Sequence, residues 1–201
     1  MHPAPAYLET DRATLLKRIG DWPFALAIGL HEGRPCAAHT PVLADENGTL
    51  RFHLSKENPA AQGITNAGQA LIVFSGPHDY ISPDWYGMEK QVPTWNYLSV
   101  EAEGSVSICD DQDAEHFLED LSARFEAGLA PKPAWTVASM DRAQLKRMLT
   151  SIVTFKLTPQ RLEGITKVAQ YKPEEARVRA GQALKAAGGD PTIADMMERR
   201  S

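Results

Sequence analysis

The sequence predicts a mainly β chain, an antiparallel barrel with peripheral helices, and three observations predict it. The first is strict alternation over residues 96–108. Even positions carry Asn96, Leu98, Val100, Ala102, Gly104, Val106 and Ile108, and odd positions carry Tyr97, Ser99, Glu101, Glu103, Ser105 and Ser107. That is the period of two of a strand with one buried face. The second is a β-rich block, Phe24 to Leu30, Arg34 to Ala44 and Leu50 to Leu54, with Glu46-Asn47-Gly48 as a hairpin signal before the third run. The third is that the connections are too short for repeated βαβ crossovers, which disfavours a parallel sheet. Gly104 interrupts the longest run at a point where glycine tolerates the bend or bulge of a strand curling round a barrel.

The remaining elements follow in chain order. Leu15, Leu16 and Ile19 share a helical face, with Thr10 as the expected cap and Gly20 as the expected stop. The three β-rich runs form a meander. Residues 58–66 read as a short helix after the Asn58-Pro59 start, and Ala70 to Phe74 reads as a buried strand. Gly76 to Thr94 reads as a long loop with three prolines. Beyond the alternating strand, Ala114, Phe117, Leu118, Leu121 and Phe125 recur at helical spacing, and a second helix runs near Asp141 to Leu149. Ile152 to Leu157 alternates again and closes the sheet, and Pro173 to Ala187 reads as a C-terminal helix. Residues 1–187 therefore read as one domain, and 188–201, after Gly188-Gly189-Asp190-Pro191, as a charged tail.

Composition narrows the functional classes. The net charge of −5 opposes a role that depends on gripping a polyanion, and the basic pairs Lys17-Arg18, Lys146-Arg147 and Arg199-Arg200 are short. Direct DNA binding is therefore doubtful. There is no apolar run near the roughly 18 residues of a membrane span and no signal-peptide pattern at the N-terminus, so the expected location is the cytoplasm. Cys36 and Cys109 lie far apart without a CxxC spacing and read as buried thiols. The six histidines show no metal-ligand spacing, so no metal site is expected. The chain has no G-x-G-x-x-G after a strand, no phosphate-binding P-loop and no G-x-S-x-G elbow. No residue stands out as a catalytic acid or base.

Three stretches gather polar and aromatic groups: Ala37 to Val42, His53 to Pro59, and the loop from Ser75 to Tyr86 continuing to Val92–Tyr97. Residue chemistry alone leaves two readings of the last stretch, a binding surface or a rigid loop folded over the barrel's own core. His39 and His53 likewise read either as site residues or as satisfied barrel residues, and His78 as a hydrogen-bonder that stabilises a turn.

At these stretches the sequence resembles the PaiB-like FMN-binding negative transcriptional regulator family, whose fold is the split β-barrel of FMN-binding type shared with pyridoxamine-phosphate oxidases. The markers are A-x-H-x-P at 37–41, N-G-x-L at 47–50, H-L-x-x-x-N-P at 53–59, G-P-H-x-Y-I-S-P-x-W-Y at 76–86, V-P-T-W-N-Y at 92–97 and R-L-E-G at 161–164. The resemblance covers nearly the whole chain. It implies a homodimer of two barrels with FMN at the interface, its phosphate held by Ser55 and Lys56 with Asn58 behind them. Lysine suits a phosphate as a point charge. It further implies a flavin ring walled and hydrogen-bonded by His39, Thr40, Thr94, Trp95, Asn96 and Tyr97, with the interface including Trp95 to Tyr97. Lys167 and Gln170 match the family's K-x-S-Q-N element. The chain departs from the family at Lys56, where arginine is common, and at Ala169 and Tyr171, which replace the serine and asparagine of that element. The function so implied is an FMN-binding protein with flavin redox activity. The alternatives are a transcriptional regulator acting without flavin chemistry and a haem-binding split-barrel protein.

Overall fold

The structure, a computed structural model, describes residues 4–199; His2 and Arg200 of the sequence reading lie outside the described residues. The chain runs β1 (Leu8–Glu9), α1 (Arg12–Asp21), β2 (Phe24–His31), β3 (Arg34–Ala44), β4 (Leu50–Ser55), α2 (Pro59–Ala67) and β5 (Gln69–Ile81). It continues through β6 (Thr94–Ile108), α3 (Asp111–Glu126), α4 (Arg142–Ser151), β7 (Ile152–Lys167), α5 (Glu174–Ala186) and α6 (Pro191–Glu198). Hydrogen bonding orders the strands β1-β7-β4-β3-β2-β5-β6, and β6 pairs again with β7, so the ladder closes on itself. Each pair with an assigned register is antiparallel. The fold is the expected one, an antiparallel β-barrel sheet with helices around it.

Two compact units divide the chain. The first takes the described residues up to Arg18, Ser75–Val100 and the residues from Glu163 onward; the second takes Ile19–Phe74 and Glu101–Leu162. In the second unit the inward positions of β2, β4, β5 and β7, among them Ala27, Phe52, Ile72, Phe74 and Phe155, are fully buried. A satellite core of Leu43, Phe117, Leu118, Val137 and Leu145 joins α3 and α4 to the outer side of that sheet. In the first unit Leu15, Ile81, Tyr86, Ile165, Ile193 and Met197 are fully buried.

Several elements differ from the sequence reading, each for a local reason. Asp11, not Thr10, caps α1: its carboxylate accepts from the Thr14 amide at 2.8 Å. The expected loop after Phe74 begins as strand, since β5 runs on through Gly76 and Pro77 to the buried Ile81. The stretch 188–201 carries α6, because Asp190-Pro191 ends one helix and starts another. The Asp190 carboxylate accepts from the Thr192 and Ile193 amides at 2.8 and 3.0 Å, with proline in the first turn.

Gly104 is required for close approach of the chain rather than for unusual torsions. A Cβ there would fall inside the contact distance of the Thr158 carbonyl oxygen and 3.0 Å from the Gln160 amide nitrogen, on the two sides of Pro159 in β7. Gly104→Ala must push β6 and β7 apart where the ladder closes. It is expected to cost about 1–3 kcal/mol, read as a lower denaturant midpoint with an unchanged slope.

His53 lies on the outer side of β4 beneath α3, its ring edge-on to Phe117 at 5.7 Å. Its Nδ1 is buried without a partner, as is the hydroxyl of Thr154, its register partner on β7. Burial pushes the His53 pKa below its ordinary value of 6.5. The folded chain thus keeps His53 neutral at pH values where the unfolded chain takes up a proton. The stabilisation is complete above about 6.5 and is lost as pH falls below it. Thermal midpoints measured from pH 7.5 to 5.5 should fall, and fall less steeply in His53→Gln; equal slopes would show that His53 is not responsible.

Candidate functional site

The second unit builds a polar corner where β4 ends. The strand is held to its last residue by register pairing of Ser55 with Ile152, and the Lys56 amide donates to the Ser151 carbonyl at 3.0 Å. The Asn58 amide returns to the Ser55 carbonyl at 3.0 Å, and the Asn58 side-chain oxygen accepts from the Ala60 amide at 2.9 Å, starting α2 with Pro59 in its first turn. Asn58 is therefore the helix cap, and only its side-chain NH2 remains for other work.

The placement of α2 is set by two glycines. A Cβ on Gly63 would stand 2.5 Å from the Leu30 carbonyl oxygen, and one on Gly29 would stand 2.8 Å from the Ile64 side chain. Helix and strand meet almost backbone to backbone. Ala60, Ala61, Gly63 and Ile64 turn inward, which leaves Gln62, Thr65 and Asn66 on the outer face. With Lys56, Ala61, Ile108 and Val153 these three line a cleft of about 410 Å3. Lys56 is exposed, and among the described residues its ammonium enters no ion pair; the exposed Ser55 hydroxyl has no hydrogen-bond partner among them either. A free cation, a free hydroxyl and a cleft fit a phosphate group, which is what a flavin mononucleotide presents. The sequence reading missed the α2 wall, although its signal was present in polar residues at positions 62, 65 and 66, one helical face opposite Ile64.

His39 and Thr40 are neighbours on β3 and so point to opposite sides of the sheet. His39 is outward and exposed, stacked on Phe24 with ring centres 5.5 Å apart and planes 17° from parallel. Thr40 is inward and buried, its hydroxyl donating to the His53 carbonyl at 2.7 Å.

The other expected site residues belong to the first unit. Lys167 donates to the Thr94 hydroxyl at 2.6 Å, and burial pushes the Lys167 pKa down. Trp95 and Tyr97 line a second cleft of about 340 Å3 with Ser75, Gly76 and His78. Trp95 is 54% exposed and lies 6.0 Å from the His78 ring and 6.2 Å from that of Tyr80, edge-on. His78 is held by its Nδ1, 3.0 Å from the Gly76 carbonyl oxygen, a contact within strand β5 and not the turn expected of it. Asn96, between the two aromatics, faces inward and is fully buried, its amide donating to the Met197 sulfur at 3.2 Å. Gln170 spends its side chain on the backbone, accepting from the Val168 amide and donating to the Ala6 and Thr166 carbonyls. Gln170 has no donor left for a ligand, and Asn96, whose Oδ1 is buried without a partner, is closed off from the surface.

Among the described residues no group of three or more His, Cys, Asp or Glu side chains is placed to hold a metal ion, and no helix is long and apolar enough to cross a membrane.

Comparison with known proteins gives the family and the fold. The chain is 27% identical over 154 residues to "Protease synthase and sporulation protein PAI 2" of Bacillus subtilis, covering 75% of this chain and 73% of that one. Among solved structures, the flavocytochrome Anf3 of Azotobacter vinelandii matches with a TM-score of 0.64 at 11% identity, over 83% of this chain and 72% of that one. The FAD and haem binding protein of Mycobacterium smegmatis matches with a TM-score of 0.61 at 17% identity, over 92% of this chain and 81% of that one. These two show a shared fold. The family model described as "Putative FMN-binding domain" matches residues 1–161, so the chain belongs to this FMN-binding family, with FMN as its cofactor.

Proposed function

We propose that the chain is a flavin-dependent redox protein that holds FMN by its phosphate at Ser55 and Lys56 and works as a homodimer. The observation that carries this reading is Lys56 itself, an exposed ammonium without an ion pair among the described residues, fixed at the rim of a cleft by the end of β4. A cation with no carboxylate to give up binds an anion without first breaking a salt bridge. Lys56 supplies charge and Ser55 a hydroxyl donor, and the backbone pairing of Ser55 and Lys56 with Ile152 and Ser151 holds both in place. FMN, when bound, supplies hydride or single-electron transfer through its ring, while the protein sets orientation and polarity. Of the ring candidates in this unit, His39 offers a flat, exposed face and Thr40 serves the barrel interior.

The dimer reading is supported by the outward face of β2, β3 and β5. The register places His39, Leu26 and Val73 in one row and Ala37, Ile28 and Leu71 in the next. Phe24 and Leu30, at the two ends of β2, are 65% and 63% exposed. A contiguous apolar sheet face of this kind is what a second copy covers in an isologous interface. The name of the Bacillus subtilis relative ties that protein to protease synthesis and sporulation. A regulatory role for this chain would run through its flavin or a protein partner rather than through DNA, given the charge of −5.

Flavin fluorescence titration tests the phosphate contact. Lys56→Ala removes a charge-assisted hydrogen bond of about 1.5–3 kcal/mol, so FMN affinity should fall about ten- to hundred-fold while riboflavin, which lacks the phosphate, is unaffected. Equal effects on both ligands, or none, would place the phosphate elsewhere.

Light scattering tests the dimer. The wild type should run at twice its chain mass at micromolar concentration, and the double variant Phe24→Lys/Leu30→Lys, altered only at exposed positions, should run as a folded monomer. A monomeric wild type would remove the dimer reading.

A further inference from the structure

The cleft beside Lys56 is larger than a phosphate needs and is furnished beyond it. Its volume of about 410 Å3 lies within the range of small-molecule pockets, about 300–1,000 Å3. A phosphate group fills only a small part of that space. The remainder has two unlike walls. One is the outer face of α2, where Gln62 and Asn66 lie one helical turn apart and so point the same way, with Thr65 beside them. Among the described residues none of these three side chains has a hydrogen-bond partner. The other wall is apolar, formed by Val153 at the start of β7 and by Ile108 at the end of β6, which is 56% exposed.

Neighbouring amides facing an apolar shelf suit a flat heteroaromatic ring whose edge both donates and accepts. Adenine is such a ring: the side-chain amide of Asn or Gln can donate to its N7 and accept from its exocyclic amine at once, while aliphatic side chains cover its face. Inward rotation of these amides into the barrel is ruled out by the close seating of Gly63 on Leu30, so their outward direction is a fixed property of α2. We propose that this cleft takes the adenylate half of FAD, so that the chain binds the dinucleotide as well as the mononucleotide. The inference rests on the reading that the flavin phosphate sits at Lys56: FAD carries its adenylate on that phosphate, and the cleft opens directly from it. Lys56 then faces the pyrophosphate, Gln62 and Asn66 the adenine edge, and Ile108 and Val153 the adenine face.

The test is a set of affinities of the full-length protein, stripped of flavin, for FMN and FAD, followed by flavin fluorescence. FAD in solution is quenched by stacking of its adenine on the flavin ring, so adenine held apart in the cleft gives a bound-FAD signal closer to that of bound FMN. FAD is expected to bind at least as tightly as FMN. The double variant Gln62→Ala/Asn66→Ala, altered only at exposed helix positions, should lose about ten-fold or more in FAD affinity and clearly less in FMN affinity. Lys56→Ala should weaken both flavins. FAD binding much weaker than FMN in the wild type, or a double variant that affects both flavins alike or neither, overturns the adenylate site. If Lys56→Ala leaves FMN unchanged, the phosphate assignment is what has failed, and the effect of the double variant on FAD still decides whether an adenine occupies the cleft.

Discussion

The close approach of β6 to β7 at Gly104 is the constraint on which the rest of the fold depends. A ladder that returns to its own start leaves few open edges, but closure demands that two backbones meet without a side chain between them. Glycine opposite a stretch containing Pro159 meets that demand. Because β7 is fixed there, it can pair with β4 over six consecutive positions down to Ser55, and the strand end that presents Lys56 is held rather than frayed.

Strand alternation then divides each sequence motif between two tasks. In V-P-T-W-N-Y the aromatics Trp95 and Tyr97 face outward while Asn96 is buried against Met197. In A-x-H-x-P, His39 is outward and Thr40 inward. A motif recognised as a continuous string is thus half surface chemistry and half internal architecture. The inward half keeps the outward half in register, since Thr40 ties β3 to the carbonyl of His53 on the neighbouring strand.

Much of this was legible beforehand, and the reasons are specific. The alternation of residues 96–108 has one structural meaning, as does the Asn58-Pro59 helix start, and both appear in the structure as read. Gly188 to Pro191 was ambiguous, because the same residues that stop one helix cap another, and only the packing of Ile193, Ala194 and Met197 decides between a tail and a helix. The division of polar side chains between ligand and backbone was not legible at all. Gln170 looks available in the sequence, yet it is wholly engaged by three main-chain groups; Gln62 looks like an ordinary helix surface residue, yet it lines a cleft with Lys56. Such assignments depend on distances between residues remote in sequence, which periodicity does not encode.

The seating of Gly63 on Leu30 has a thermodynamic consequence. Helix α2 carries the wall of the Lys56 cleft, and β2, against which it is pressed, carries the outward apolar row of Leu26 and Ile28. At Gly63 no side chain separates the two backbones, and at Gly29 only the Ile64 side chain does, so the spacing of helix and strand is closely fixed. If a ligand fills the cleft and a second copy covers the β2 face, as proposed, any coupling between the two is reciprocal: the factor a ligand applies to association of the sheet face is the factor association applies to the affinity for that ligand.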